Sequence, residues 1–276
     1  MEIGLLMLAG GVAAGAFGSI LGLGGGVLIV PLLTLGFGLP LREAVGVSLV
    51  CVIVTSSASA GVYLERRQAN LRLGMTLELF TAAGAIVGGA IAFLIDERVL
   101  AGLFAVLLAY VAATMAGGLR GRAVAQPAAD VETPPSPAEP SVEPPEGDEG
   151  AYRADRMPLA AAGSVGAGVA SALLGIGGGL IKVPLMHLVL GVPLRIATAT
   201  SNLMIGITAS ASAIVYLVRG GIDAYVAGPT AVGVFVGATL GSRFGHRVGQ
   251  RALRLLFVIV LLYTAIEMAG RAVRGG

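Results

Sequence analysis

The sequence predicts an all-α polytopic membrane protein made of two inverted-topology repeats, each a glycine-broken helical hairpin plus about three transmembrane helices. Three observations carry that expectation. Of the 276 residues, 56% are hydrophobic and only 12% charged, with a mean hydropathy of +0.89; a soluble domain carries about 25% charged residues. The run Leu21-Gly22-Leu23-Gly24-Gly25-Gly26, followed by Pro31, returns as Leu174-Gly175-Ile176-Gly177-Gly178-Gly179, followed by Pro184. Finally, the basic loops of the two copies fall one helix apart.

Taken in order, Ile3 to Leu21 is apolar and about one bilayer long at 1.5 Å per residue. The glycines then break it, because backbone so rich in glycine and closed by a proline cannot stay a regular helix. Val27 to Phe37 is too short to span, since a span needs about 20 residues. Glu43 to Leu64 is a full-length segment rich in hydroxyls, among them Ser48, Thr55, Ser56, Ser57 and Ser59. After the polar loop Glu65 to Arg72, Leu73 to Ile95 and Val99 to Leu119 are two further spans joined by Asp96-Glu97-Arg98.

Residues 120–156 interrupt the pattern with seven prolines, seven acids between Asp130 and Glu149, and almost no large apolar side chain. Such a stretch buries too little surface to offset ordering entropy, so a disordered cytoplasmic linker is expected. It separates a first membrane repeat, 1–119, from a second, 157–276. The second copy follows the first at a constant offset: Pro31 matches Pro184, Pro40-Leu41-Arg42 matches Pro193-Leu194-Arg195, and Ser48 matches Ser201. Thr55 matches Thr208, Tyr63 Tyr216, Gly84 Gly237 and Gly88 Gly241.

Lys and Arg near membrane ends mark the cytoplasmic side. In the first copy the basic loop, Arg66, Arg67 and Arg72, follows the third segment; its counterpart holds Arg219 and Asp223. The second copy's basic loop comes one helix later, at Arg243, Arg247, Arg251 and Arg254, where the first has Asp96-Glu97-Arg98. Inverted copies predict that shift, with both termini outside and the linker inside. Parallel copies with an even number of crossings are the alternative. Each glycine unit is then either a re-entrant hairpin or a full helix plus a tilted short one, and the hairpin is the reading adopted.

Several functions are excluded. A phosphate-binding loop needs a preceding strand and a following Lys-Ser or Lys-Thr pair, and neither accompanies the glycines. With one cysteine, Cys51, and two histidines, His187 and His246, no metal cluster or catalytic constellation can be assembled. No cofactor, no metal and no nucleic-acid partner is expected. Interrupted helices at matching places in two halves point instead to a transporter's binding site. Unwound backbone at Gly24, Gly25 and Gly26, and at Gly177, Gly178 and Gly179, would present N–H groups and a helix dipole to an anion. Gly22, Pro31, Gly175 and Pro184 shape the breaks.

Lys182 is the chain's one lysine, set three residues past the second glycine run; Ile29 holds its place in the first copy. A lysine in a membrane segment faces a cavity, a partner or, by snorkelling, water. As a positive element for an anion, its replacement by Met would weaken binding and leave the fold intact. Ser48, Ser201 and Asn202 are hydroxyl and amide candidates for the same site, although interhelical hydrogen bonding accounts for any one of them equally well. His187 and Glu78 are candidates for ion coupling; Glu78, about one turn into its span, is also within reach of the interface.

These residues bear a resemblance. The doubled Gly-x-Gly-Gly-Gly followed by Pro, then Leu-Pro-Leu-Arg in the first copy and a Ser-containing helix, resembles the TauE/SafE family of sulfite exporters over both copies. Ala199-Thr200-Ser201-Asn202 is similar to the family's polar helix start, whereas the first copy reads Gly46-Val47-Ser48-Leu49, without the Thr and Asn. The resemblance implies a prokaryotic inner-membrane secondary transporter exporting sulfite, sulfoacetate or a related sulfonate. An anion channel and a non-transporting structural or signalling subunit stay open as alternatives, as does a homo-oligomer.

Overall fold

The computed structural model describes residues 2–20, 26–65, 69–119, 156–244 and 250–274. The expected linker, apart from Arg156, lies outside the described residues, as do Gly22, Gly24, Gly25, Arg66, Arg67 and Arg247. Helix α1 covers Glu2–Ile20, and α2, Gly26–Pro31, continues as a π-helical turn over Leu32–Gly36. Helices α3 (Leu41–Glu65), α4 (Leu71–Ala92) and α5 (Glu97–Leu119) complete the first half. The second half repeats the order: α6 (Met157–Leu174), α7 (Gly179–Pro184) with a π-helical turn Leu185–Val189, α8 (Leu194–Val218), α9 (Ala224–Phe244) and α10 (Gln250–Arg274). Six of these, α4, α5, α6, α8, α9 and α10, are long and apolar enough to cross a membrane.

Local chemistry sets the helix ends. The Asn70 side chain accepts the Leu73 N–H at 3.0 Å ahead of α4, and Asp223, its counterpart, accepts the Tyr225 N–H at 2.8 Å ahead of α9. Both occupy amide donors that a helix start leaves open. At the other end of α4 the Arg42 guanidinium donates to the carbonyls of Ala92 and Ile95 at 3.0 and 2.9 Å. Pro31 and Pro184 lack the N–H that would continue the ladder, and each is followed by the wider π turn. The Thr34 hydroxyl donates to the Val30 carbonyl at 2.8 Å beside the first of these turns.

Each glycine unit folds back on itself. Leu32 lies against Gly10 of α1, and Leu185 against Gly163 of α6. The returning arm has six α-helical and five π-helical residues, about 16 Å of rise, which cannot cross a hydrocarbon core about 30 Å thick. The outgoing arms are longer, with 19 residues in α1 and 18 in α6, and α6 is long and apolar enough to cross. The hairpin is therefore unequal, a long arm and a short one.

The halves interlock through these long arms. Helix α1 packs on α9 and α6 packs on α4, so each hairpin leans on a helix of the other copy. Gly84 and Gly88 of α4 meet the backbone of Val165 and Val169, while Gly237 and Gly241 of α9 meet that of Val12 and Ala16. With no hydrophobic drive between helices in lipid, such close backbone approach through small residues is what holds them. Residue numbers rise together in both pairs, so the partners run in the same direction. Between the equivalent helices α3 and α8, Ser56 meets Gly206, and Gly46 meets Gly221 just past the end of α8; there the numbers run oppositely and the helices are antiparallel. Outside, α5 and α10 pack on each other and present Val106, Tyr110, Ile259, Tyr263 and Ile266 outward, an apolar face suited to acyl chains.

Candidate functional site

The site is built around the tip of the second hairpin. Helix α6 ends at Gly175 in the left-handed region, with φ 67°, and Gly177 and Gly178 follow with φ 73° and 78°. Only glycine takes up these conformations without strain. The Gly175 N–H closes on the Ser171 carbonyl at 2.8 Å, and the Gly178 carbonyl accepts from Ile181 and Lys182 at 3.1 Å each. The tip sits where the halves meet: Gly175 touches Val45 and Ser48 of α3, Gly177 lies between Val52 of α3 and Ile205 of α8, and Gly179 lies against Ile205 and Ser201.

Ser48 brings both glycine units together. Its hydroxyl donates to the Gly175 carbonyl at 2.8 Å and stands 3.2 Å from that of Gly26. Gly26 and Gly175 to Gly179 are thus gathered at one place, while Gly22, Gly24 and Gly25 lie outside the described residues. Ser201, the counterpart of Ser48, is fully buried, and its hydroxyl has no hydrogen-bond partner among the described residues; the same holds for Ser171 and Ser164. Ser171 stands against Gly178, on the side where the Lys182 chain passes. Buried hydroxyls without partners are uncommon, and two of them stand beside this one glycine turn. Asn202 is half-buried one position on.

The charges converge below the tip. Lys182 does not snorkel to water: it is 1% exposed, and its Nζ donates to Glu78 Oε2 at 2.8 Å. Glu78 does not reach the interface either; it is 3% exposed. Thr208 completes the group, accepting from Lys182 and donating to Glu78 Oε1 at 2.6 Å. One carboxylate from α4, one ammonium from α7 and one hydroxyl from α8 therefore close on each other across the two halves. At the equivalent place in the other copy stand Ile29, Ala231 and Thr55, and the Thr55 hydroxyl donates to the carbonyls of Cys51 and Val52. The charged pair belongs to one side of the protein only.

His187 lies apart from this group. Its Nδ1 is 2.9 Å from the Val192 carbonyl, fastening the far end of the hairpin. Thr200, at the polar start of α8, accepts the Asn70 N–H at 3.0 Å and ties α8 to the start of α4. No group of residues with metal-ligating chemistry occurs among the described residues.

Comparison with known proteins agrees with this architecture. The model of the sulfite exporter TauE/SafE family matches residues 7–268. The chain belongs to the TauE/SafE family. It is 22% identical to YunE of Bacillus subtilis (strain 168), named a probable membrane transporter protein, over 96% of each chain. A probable membrane transporter protein of Methanocaldococcus jannaschii is 27% identical over 77% of this chain and 72% of its own. Another, of Xylella fastidiosa (strain Temecula1), is 30% identical over 72% of this chain and 67% of its own. No solved structure matches. As a TauE/SafE transporter the protein is a multi-pass membrane protein, which accounts for its outward-facing apolar helices.

Proposed function

We propose that this TauE/SafE transporter exports a small sulfur-containing oxyanion, such as sulfite, sulfoacetate or a related sulfonate, by alternating access between two inverted halves. The observation that carries the reading is the pair of unpartnered buried hydroxyls, Ser171 and Ser201, beside the Gly177–Gly179 turn. Helix α7 opens at Gly179 beside these hydroxyls, and the positive end of its dipole favours negative charge. Lys182 supplies the full positive charge, with Ser48 of α3 and the Gly26 backbone brought to the same turn from the first half and Asn202 next to Ser201 on α8. The antiparallel run of α3 against its equivalent α8 supports inversion, since a two-fold axis in the membrane plane relates antiparallel copies.

A thermal-shift panel on the purified chain tests the substrate. An oxyanion present at about 100 times its dissociation constant stabilises the folded state by about 2.7 kcal/mol; sulfite or sulfoacetate should do so and chloride should not. No shift with any sulfur oxyanion sinks the reading, and saturable counterflow in liposomes separates a transporter from an anion channel. Topology is tested by single cysteines placed beside Arg72 and beside Arg243 in a Cys51→Ala background. Inverted halves in a prokaryotic inner membrane, with the termini outside and the linker cytoplasmic, require both to be labelled from the cytoplasmic side; labelling from opposite sides rejects inversion.

A further inference from the structure

The oxyanion reading leaves one feature without a purpose. A lysine meant for an anion is already occupied by one, and the occupant is part of the chain. Both oxygens of Glu78 are held, Oε2 by the Lys182 ammonium at 2.8 Å and Oε1 by the Thr208 hydroxyl at 2.6 Å. An ammonium and a hydroxyl converging on two oxygens form a donor set for any oxyanion. It lies beside the glycine turn, since the Lys182 chain and Ser171 both stand against Gly178.

We propose that Glu78 is a tethered competitor for the transported anion, and that uptake of one proton on its carboxylate releases Lys182 and Thr208 to a monovalent oxyanion. This rests on the oxyanion reading of the same site. The surroundings isolate the switch. Facing Glu78, α7 contributes Lys182 and α8 contributes Thr208. Helix α6 contains no titratable residue at all. The titratable side chains of α8 are Arg195 and Tyr216, and Tyr216 donates to the Ala172 carbonyl at 3.0 Å. On its own helix the other charged residue is Arg72, near the start of α4.

Charge balance names the substrate class. Paired Lys182 and Glu78 sum to zero, which is what a buried site tolerates. When an anion displaces the carboxylate, a proton from water must bond to a Glu78 oxygen, or the site would hold net negative charge. One proton and one monovalent anion restore zero; a divalent anion leaves one negative charge over. The site thus selects a sulfonate or hydrogensulfite over sulfate, and the anion and the proton travel together. Because the anion-bound state holds the extra proton, lower pH favours binding.

The experiment uses the purified full chain with methanesulfonate, whose charge does not change through the neutral range, and sulfate as the divalent contrast. In weakly buffered solution with an indicator dye, each bound methanesulfonate should remove one proton from solution. Its affinity should fall about tenfold per pH unit where Glu78 is ionised, and sulfate should bind more weakly. Glu78→Gln, neutral at every pH, should bind methanesulfonate with pH-independent affinity and take up no proton. Binding to the unmodified chain without proton uptake overturns the proposal, as does a folded Glu78→Gln chain that no longer binds. If that variant fails to fold, the proton count and pH slope of the unmodified chain decide alone. Failure of both chains to bind any sulfur oxyanion overturns the oxyanion reading itself, an outcome distinct from binding without a proton.

Discussion

Replacing Lys182 by Ile, the residue its counterpart position carries, should destabilise the protein by about 3–5 kcal/mol, because it leaves the Glu78 carboxylate buried without its ammonium. Glu78→Ala should do comparable damage from the other side, stranding the lysine. The double variant, Lys182→Ile with Glu78→Ala, should recover most of the loss. It rebuilds on one side of the molecule the Ile29 and Ala231 arrangement that the other side already has, and Thr208 can turn to the Met204 carbonyl, 3.1 Å away, as Thr55 does to its own helix. Thermal unfolding of the four proteins in detergent closes the cycle. A coupling energy near zero would mean that the pair does not act as a unit. The buried pairing of Lys182 with Glu78 predicts a cost in stability where the sequence alone leads one to expect that a neutral residue at 182 weakens binding and spares the fold. It also separates stability from purpose: if the apolar pair folds as well, the charges are retained for something other than folding.

Why the pair escaped the sequence is a matter of distance. Glu78 and Lys182 are 104 positions apart, and which helices bring them together depends on α6 packing against α4 across the two halves. No local pattern encodes that. A signal was nevertheless present, since the repeat lacks both charges at the two matching positions, Ile29 and Ala231. A buried charge rarely stands alone, and two that are missing together from the equivalent sites are candidates to be partners. The hydroxyls were ambiguous for a different reason. Ser48 and Ser201 read identically in sequence, yet Ser48 is spent on the Gly175 carbonyl while Ser201 has no partner among the described residues.

What was legible depends on backbone chemistry that acts locally. The break after α6 is written in glycines that must take positive φ, and the π turns follow prolines that lack an N–H. The span expected from Leu73 to Ile95 is α4, Leu71–Ala92, and that from Val99 to Leu119 is α5, Glu97–Leu119. Length and hydropathy suffice there because a helix in lipid must satisfy its own backbone. Partner choice is another matter. Nothing in the apolar pattern of α1 says that it will lie along α9 and not beside its neighbour in the chain.

The glycines that make that choice can be separated from those that do not. Gly168→Ala should destabilise by about 1–3 kcal/mol, the usual range for overpacking a tight contact. A Cβ there would run into the carbonyl oxygen of Thr81 and stand 2.8 Å from the amide nitrogen of Ala85, and backbone cannot rotate away as a side chain can. Gly15→Ala, its counterpart on α1, meets the carbonyl of Val234 and should cost about as much. Gly166, two residues from Gly168 on the same helix, faces open space; Gly166→Ala should be neutral or slightly stabilising, because alanine favours a helix by up to about 1 kcal/mol. Equal shifts in the unfolding temperature for Gly166→Ala and Gly168→Ala would contradict the close α4–α6 packing. Since that packing carries Glu78 to Lys182, Gly168→Ala should also weaken the pair. The coupling energy of Lys182 and Glu78, measured again in that background, should fall; an undiminished value would show that the charges find each other without the glycine contact.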